Sequence, residues 1–135
     1  MTRMDRIALG LLKPVNPYGS LILGLLTFAW GIWIAIPAWA VFDSAPLFSR
    51  INQIAPEWAV GIFAVAVGIA LMISVVKGSF KCLSAVLVAC AWYWTITSGL
   101  MWWGDWRNTG GLTYSFIAIY SIYLHLNIKM NYVKK

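Results

Sequence analysis

Residues 20–42 read SLILGLLTFAWGIWIAIPAWAVF, from Ser20 to Phe42, 23 residues without a charge. A helix rises about 1.5 Å per residue, so a run of this length crosses the roughly 30 Å hydrocarbon core of a bilayer. Three more uncharged runs follow, Trp58 to Val76, Cys82 to Gly104 and Gly110 to Ile128. The 135 residues are 61% hydrophobic and 10% charged, where a soluble domain carries about 25% charged residues. The expected fold is all-α: a four-span transmembrane helical bundle forming one membrane domain.

Orientation follows from the basic residues in the short connections. Arg3, Arg6, Lys13, Lys77, Lys81, Lys129, Lys134 and Lys135 fall on one side of the four runs, and only Arg50 and Arg107 on the other. Both termini are therefore expected in the cytoplasm, with residues 1–19 an interfacial segment and 129–135 a basic tail. The net charge of +6 marks the cytoplasmic face and its anionic lipid. Nucleic acid is not an expected partner, because no segment outside the runs is long enough for a basic module.

The pattern Ala38-Trp39-Ala40 after a basic start raises a cleavable signal peptide, but the apolar run exceeds the usual length of about 7–15 residues. An uncleaved first span is expected. Thr2 and Asp5 form a variant of the capping box, followed by Met4, Ile7, Ala8, Leu11 and Leu12 at helical spacing. That pattern predicts a short in-plane helix before Pro14 and Pro17. Between the first two runs, Leu47, Phe48, Ile51, Ile54 and Ala55 share one sector of a helical projection, which predicts a short amphipathic interfacial helix.

Tryptophans cluster at the ends of the runs: Trp39 and Trp58 about the first connection, and Trp102, Trp103 and Trp106 in WWGDWRNTGG, Trp102 to Gly111. Indole has an apolar body and one donor, which suits headgroup depth, so these are expected interfacial anchors. A recognition surface at the same level is the alternative reading.

Small and hydroxyl residues form stripes. Gly24, Thr27, Gly31 and Ala35 lie on one face of the first span, Gly61, Ala64 and Gly68 on the second, Thr95 and Ser98 on the third, and Ala118 and Ser121 on the fourth. Such stripes let helices approach closely in lipid, where packing drives association. A further small face on the second span, Ala59, Ala66 and Ala70, suits a homo-oligomer or a membrane-protein partner. Thr27, Thr95, Ser98, Tyr114, Ser121 and His125 raise a second reading, a wet path. The four runs contain no Asp, Glu, Lys or Arg, the residues on which proton relays and many coupled transporters rely, so local hydrogen bonding is expected instead.

No catalytic, cofactor-binding or metal-binding residues are expected. His125 is the single histidine, and Cys82 and Cys90 stand eight residues apart on one helix, about 12 Å along its axis, too far to bridge. Asp43, Glu57 and Asp105 lack a nearby His or Cys, which argues against an enzyme.

With NPYG at Asn16 to Gly19, WGIW at Trp30 to Trp33 and APEW at Ala55 to Trp58, the chain resembles small multi-span membrane proteins of tailed bacteriophages and prophages. The resemblance implies a host inner-membrane location and a role in infection, lysis or exclusion of competitors, and it carries no functional residues. A protein acting through helix packing or partner binding is the expected function. A holin-like oligomer that permeabilises the membrane and an accessory subunit of a transporter are the alternatives.

Overall fold

The computed structural model describes residues 2–11, 17–36, 41–44 and 46–133, and these are helical with no strand among them. In order they form α1 (Arg3–Leu11), α2 (Tyr18–Ala35), α3 (Val41–Ser44), a 3-10 turn (Pro46–Phe48), α4 (Ser49–Ile54), α5 (Glu57–Val76), α6 (Phe80–Gly104), α7 (Thr109–Ile128) and a closing π turn (Lys129–Val133). Helices α2, α5 and α6 are long and apolar enough to cross a membrane. Helix α7 is as long as α5, 20 residues, but more polar, and is not among these three.

Helix α1 begins as the capping box predicts. The Thr2 amide donates to Asp5 Oδ2 at 2.8 Å, and the Asp5 amide donates to Thr2 Oγ1 at 3.2 Å. Its apolar residues Met4 and Ile7 stay exposed rather than joining the bundle.

The first apolar run is not one helix. Helix α2 stops at Ala35 because Pro37 follows: a residue before proline is pushed out of the helical region, and Ile36 has φ −77° and ψ 110°. Phe42 belongs to the separate turn α3 instead. Trp39 lies outside the described residues.

Helices α2 and α5 make the tightest pair, antiparallel and in glycine register. A Cβ on Gly31 would stand 2.6 Å from the Gly61 carbonyl oxygen, and one on Gly61 would stand 2.7 Å from the Gly31 oxygen. One turn pair away, a Cβ on Gly68 would meet the Gly24 oxygen at 2.7 Å. Both glycine pairs repeat at seven residues, the period of left-handed helix packing. Ala35 closes the seam against Gly61, and Ala64 is fully buried between the glycines. The expected stripe on the first two spans is thus a backbone-to-backbone interface.

The α5–α6 turn is set by Gly78, which has φ +66°. The Gly78 amide donates to Val75 O at 3.1 Å and the Ser79 amide to Ser74 O at 3.2 Å, the paired bonds of a Schellman cap. Helix α6 then runs back and pairs extensively with α7. At the far end of the bundle, α3, the 3-10 turn and α4 fold over it as a cap. The short helix expected between the first two runs is α4, with Phe48 and Ile51 turned into the core and Asn52, Gln53 and Ile54 exposed. The reason is aromatic packing, since Phe48 stacks on Phe42 at 5.3 Å and meets Trp30 at 6.5 Å.

Candidate functional site

The cap side of the bundle interior is occupied by rings. Trp30 of α2, Trp94 of α6 and Tyr114 of α7 stand with centroids 4.9 to 5.8 Å apart, and Tyr93 meets Trp94 edge-on at 5.3 Å. Each indole donor is satisfied inside: Trp30 Nε1 donates to the Tyr93 hydroxyl at 3.0 Å, and Trp94 Nε1 donates to Thr27 Oγ1 at 3.1 Å. A buried unpaired donor would cost about 1–3 kcal/mol, so these bonds fix which helix faces meet.

Thr27 is fully buried and passes its own proton to Leu23 O at 2.9 Å. Ser121 likewise donates to Ile117 O at 2.8 Å. Between them stands the buried Cys90 thiol, 3.9 Å from Thr27 Oγ1 and 3.7 Å from Ser121 Oγ. Both hydroxyls lie within hydrogen-bond reach of main-chain carbonyls on their own helices. The group is a packed polar knot.

Two further polar levels join α6 to α7. Near the Gly78 turn, His125 Nδ1 lies 3.0 Å from both Ser84 Oγ and Ser84 O. Near the cap, Ser98 Oγ donates to Gly111 O at 3.1 Å and lies 2.6 Å from Ser115 Oγ, which also bonds Gly111 O. Trp102 Nε1 reaches Ser115 Oγ at 3.3 Å, and its ring fills the space beside Gly111, where a Cβ would stand 2.9 Å from it.

The residues expected on packing faces separate as follows. Gly24, Thr27, Gly31, Gly61, Ala64 and Gly68 are buried in the α2–α5 seam or the polar knot, and Ser98, Ala118 and Ser121 are buried between α6 and α7. Thr95 is exposed. Ser84, Ala91 and Ser98 repeat at seven residues, and Thr95 falls about 60° from Ser98 on the rim of that stripe. Thr97 is buried nearby instead. Trp58, Trp103 and Trp106 are exposed, and Trp102 is both partly exposed and a packing residue.

The polar tip after α6 is a clamp. Asn108 Oδ1 accepts from the Gly111 amide to cap α7, while its Nδ2 donates to Met101 O at 2.9 Å and to Asp105 O. Asp105 Oδ1 accepts from the Arg107 amide at 3.1 Å. In the other cap, Glu57 Oε1 accepts from the Val41 amide at 2.7 Å, and Asp43 Oδ1 accepts from Asn52 at 3.4 Å. With Asp5 in its capping box, all four acids of the chain hold structural positions.

Among the described residues no three His, Cys, Asp or Glu side chains converge as a metal site would require, and Cys82 and Cys90 are both free. An open apolar groove of about 370 Å³ lies on the surface where α4, α5 and α6 meet. Compared with protein-family models, curated proteins and solved structures, the chain matches none.

Proposed function

We propose that the chain is a non-enzymatic integral protein of a bacterial inner membrane. In this reading it crosses the bilayer four times with both termini in the cytoplasm, and acts by presenting helix faces to lipid and to a membrane partner. One observation carries the reading: the polar groups face inward and the rings pack inside, while the exterior is apolar. Ile22, Leu25, Ile62, Ile69, Trp92 and Ile96 are all exposed, an arrangement that suits lipid as the solvent.

Helix α7 belongs to the same scheme. Its polar residues Ser115, Ser121 and Asn127 lie against α6 or within the core, while Leu112, Phe116, Ile119, Ile122 and Leu126 are exposed. Averaging along the helix hides that its lipid-facing surface is apolar. At about 30 Å for 20 residues it is long enough to cross.

The packed rings favour contact over conduction, since Trp30, Tyr114 and Trp94 fill the space between α2, α6 and α7. We propose modulation of a host membrane or exclusion of competitors as that activity, on the motifs NPYG, WGIW and APEW. Inducing the chain in bacteria while following membrane potential tests it. An unchanged potential, with a partner captured by crosslinking from Asn52 or Arg107, is expected. Abrupt collapse of the potential would overturn the reading in favour of the holin-like oligomer.

A further inference from the structure

The groove at α4, α5 and α6 has a built end. Along α6 its wall is the stripe Ala89, Trp92, Ile96 and Leu100, at steps of three and four residues that keep one face. Trp103, three residues beyond Leu100, continues that face. Over its ring lies the Arg50 guanidinium, 4.9 Å from the centroid. Arg50 precedes Ile51 and stands one turn before Ile54, both of which line the groove. An apolar channel thus terminates at a fixed cation.

Arg50 bonds only the neutral Gln53 side chain, at 3.3 Å, and no carboxylate pairs with it among the described residues. The acids at this end of the bundle are committed elsewhere, Asp43 to Asn52, Glu57 to the Val41 amide and Asp105 to the Arg107 amide. A guanidinium offers five donors in a planar fork that matches phosphate oxygens, and stacking on an indole leaves its edge free for them. From Ala89 to Trp103 the stripe rises about 21 Å, enough for one leaflet, whose hydrocarbon depth is about 15 Å.

We propose that this groove is a site for one anionic glycerophospholipid of the outer leaflet. An acyl chain lies along Ala89, Trp92, Ile96 and Leu100, and the phosphodiester sits on the Arg50 fork. The cation at the end of the channel distinguishes this site from the rest of the lipid-facing surface. The α5–α6 crossing, with Ala59 and Ala89 small on either side, supplies the room for the chain.

The inference rests on the proposed membrane crossing, and native mass spectrometry separates the two. The protein would be released from mild detergent after exchange with palmitoyl-oleoyl phosphatidylglycerol, and with a diacylglycerol of the same chains as the phosphate-free probe. One phosphatidylglycerol per chain should be retained, and the diacylglycerol should be lost. Arg50→Gln should lower retention about tenfold, the scale of one charge-assisted contact, and Arg50→Lys should restore part of it. Ala89→Phe, which fills the groove, should also lower it. Should that variant not fold, the two Arg50 variants at the half-buried rim decide alone. Equal retention by wild type and Arg50→Gln, or retention of diacylglycerol as firmly as phosphatidylglycerol, overturns the site. So does a wild-type dimer that Ala89→Phe dissociates, which would put a second copy in the groove. A chain that needs no detergent to remain dissolved overturns the membrane reading itself.

Discussion

Replacing Gly61 by Ala adds one methyl group at the tightest point of the α2–α5 seam. That methyl would stand 2.6 Å from the Ala35 nitrogen, 2.7 Å from the Gly31 oxygen and 2.8 Å from the Ala35 Cα. All three are backbone atoms and cannot swing aside. Relief to the 3.4 Å at which ordinary contact begins requires the helices to separate locally by up to about 0.8 Å. Overpacking of this kind costs about 1–3 kcal/mol. Here the loss is carried by van der Waals contact, because lipid supplies no hydrophobic force between helices. Gly99 on α6 is the internal reference: a Cβ there meets nothing within 4 Å, and alanine is the better helix former. Unfolding in mixed dodecyl maltoside and sodium dodecyl sulfate micelles would give both free energies. The expected result is a loss of about 1–3 kcal/mol for Gly61→Ala and no loss for Gly99→Ala. Combining Gly31→Ala with Gly61→Ala should cost less than the two singly, since one opened gap serves both. Equal stability of Gly61→Ala and Gly99→Ala would refute the close-approach argument.

The polar knot gives a second expectation: Thr27→Val leaves the Trp94 indole donor without its acceptor and costs about 0.6–2 kcal/mol in a membrane, while Thr27→Ser is tolerated. The same micelle titration reads both. Asn108→Ala removes the cap of α7 and the bond to Met101 O together, for a loss of about 1–2 kcal/mol; Asn108→Asp should recover part of it, because it can still cap. At the other terminus, the Thr2 amide and then its hydroxyl hold the Asp5 carboxyl below its ordinary value. A depressed folded pKa means the cap contributes fully above the unfolded value, about 3.9, and is lost as pH falls through the lower folded one. Amide chemical shifts of α1 in micelles should follow that course, and Thr2→Ala should return the Asp5 titration toward the ordinary value.

Features governed by helical period were legible in the sequence. Gly24, Gly31, Gly61 and Gly68 announce themselves by spacing, because a glycine pair seven residues apart returns to one face, and the structure puts all four in one seam. The Thr2–Asp5 cap was legible because its partners are three residues apart. Pro37 was equally visible, yet the uncharged run around it outweighed it, although a proline ends a helix by sterics whatever the hydropathy. What could not be read were the contacts between distant segments. Trp30 meets Tyr93, and Trp94 meets Thr27, across more than sixty residues. Thr95 and Thr97 are two residues apart on one helix, and only the tilt of α6 against its neighbours decides which of them is buried. The polar-in, apolar-out pattern of α7 is likewise hidden from averaged hydropathy, because the average does not record direction.

The crossing of α7 is tested most directly by labelling single cysteines with a membrane-impermeant maleimide, before and after permeabilising spheroplasts, in a background with Cys82 replaced by Ser. Asn52→Cys and Arg107→Cys should react in sealed spheroplasts, whereas Met130→Cys should react only after permeabilisation. If Arg107→Cys and Met130→Cys react on the same side, α7 does not cross, and the four-span arrangement is contradicted.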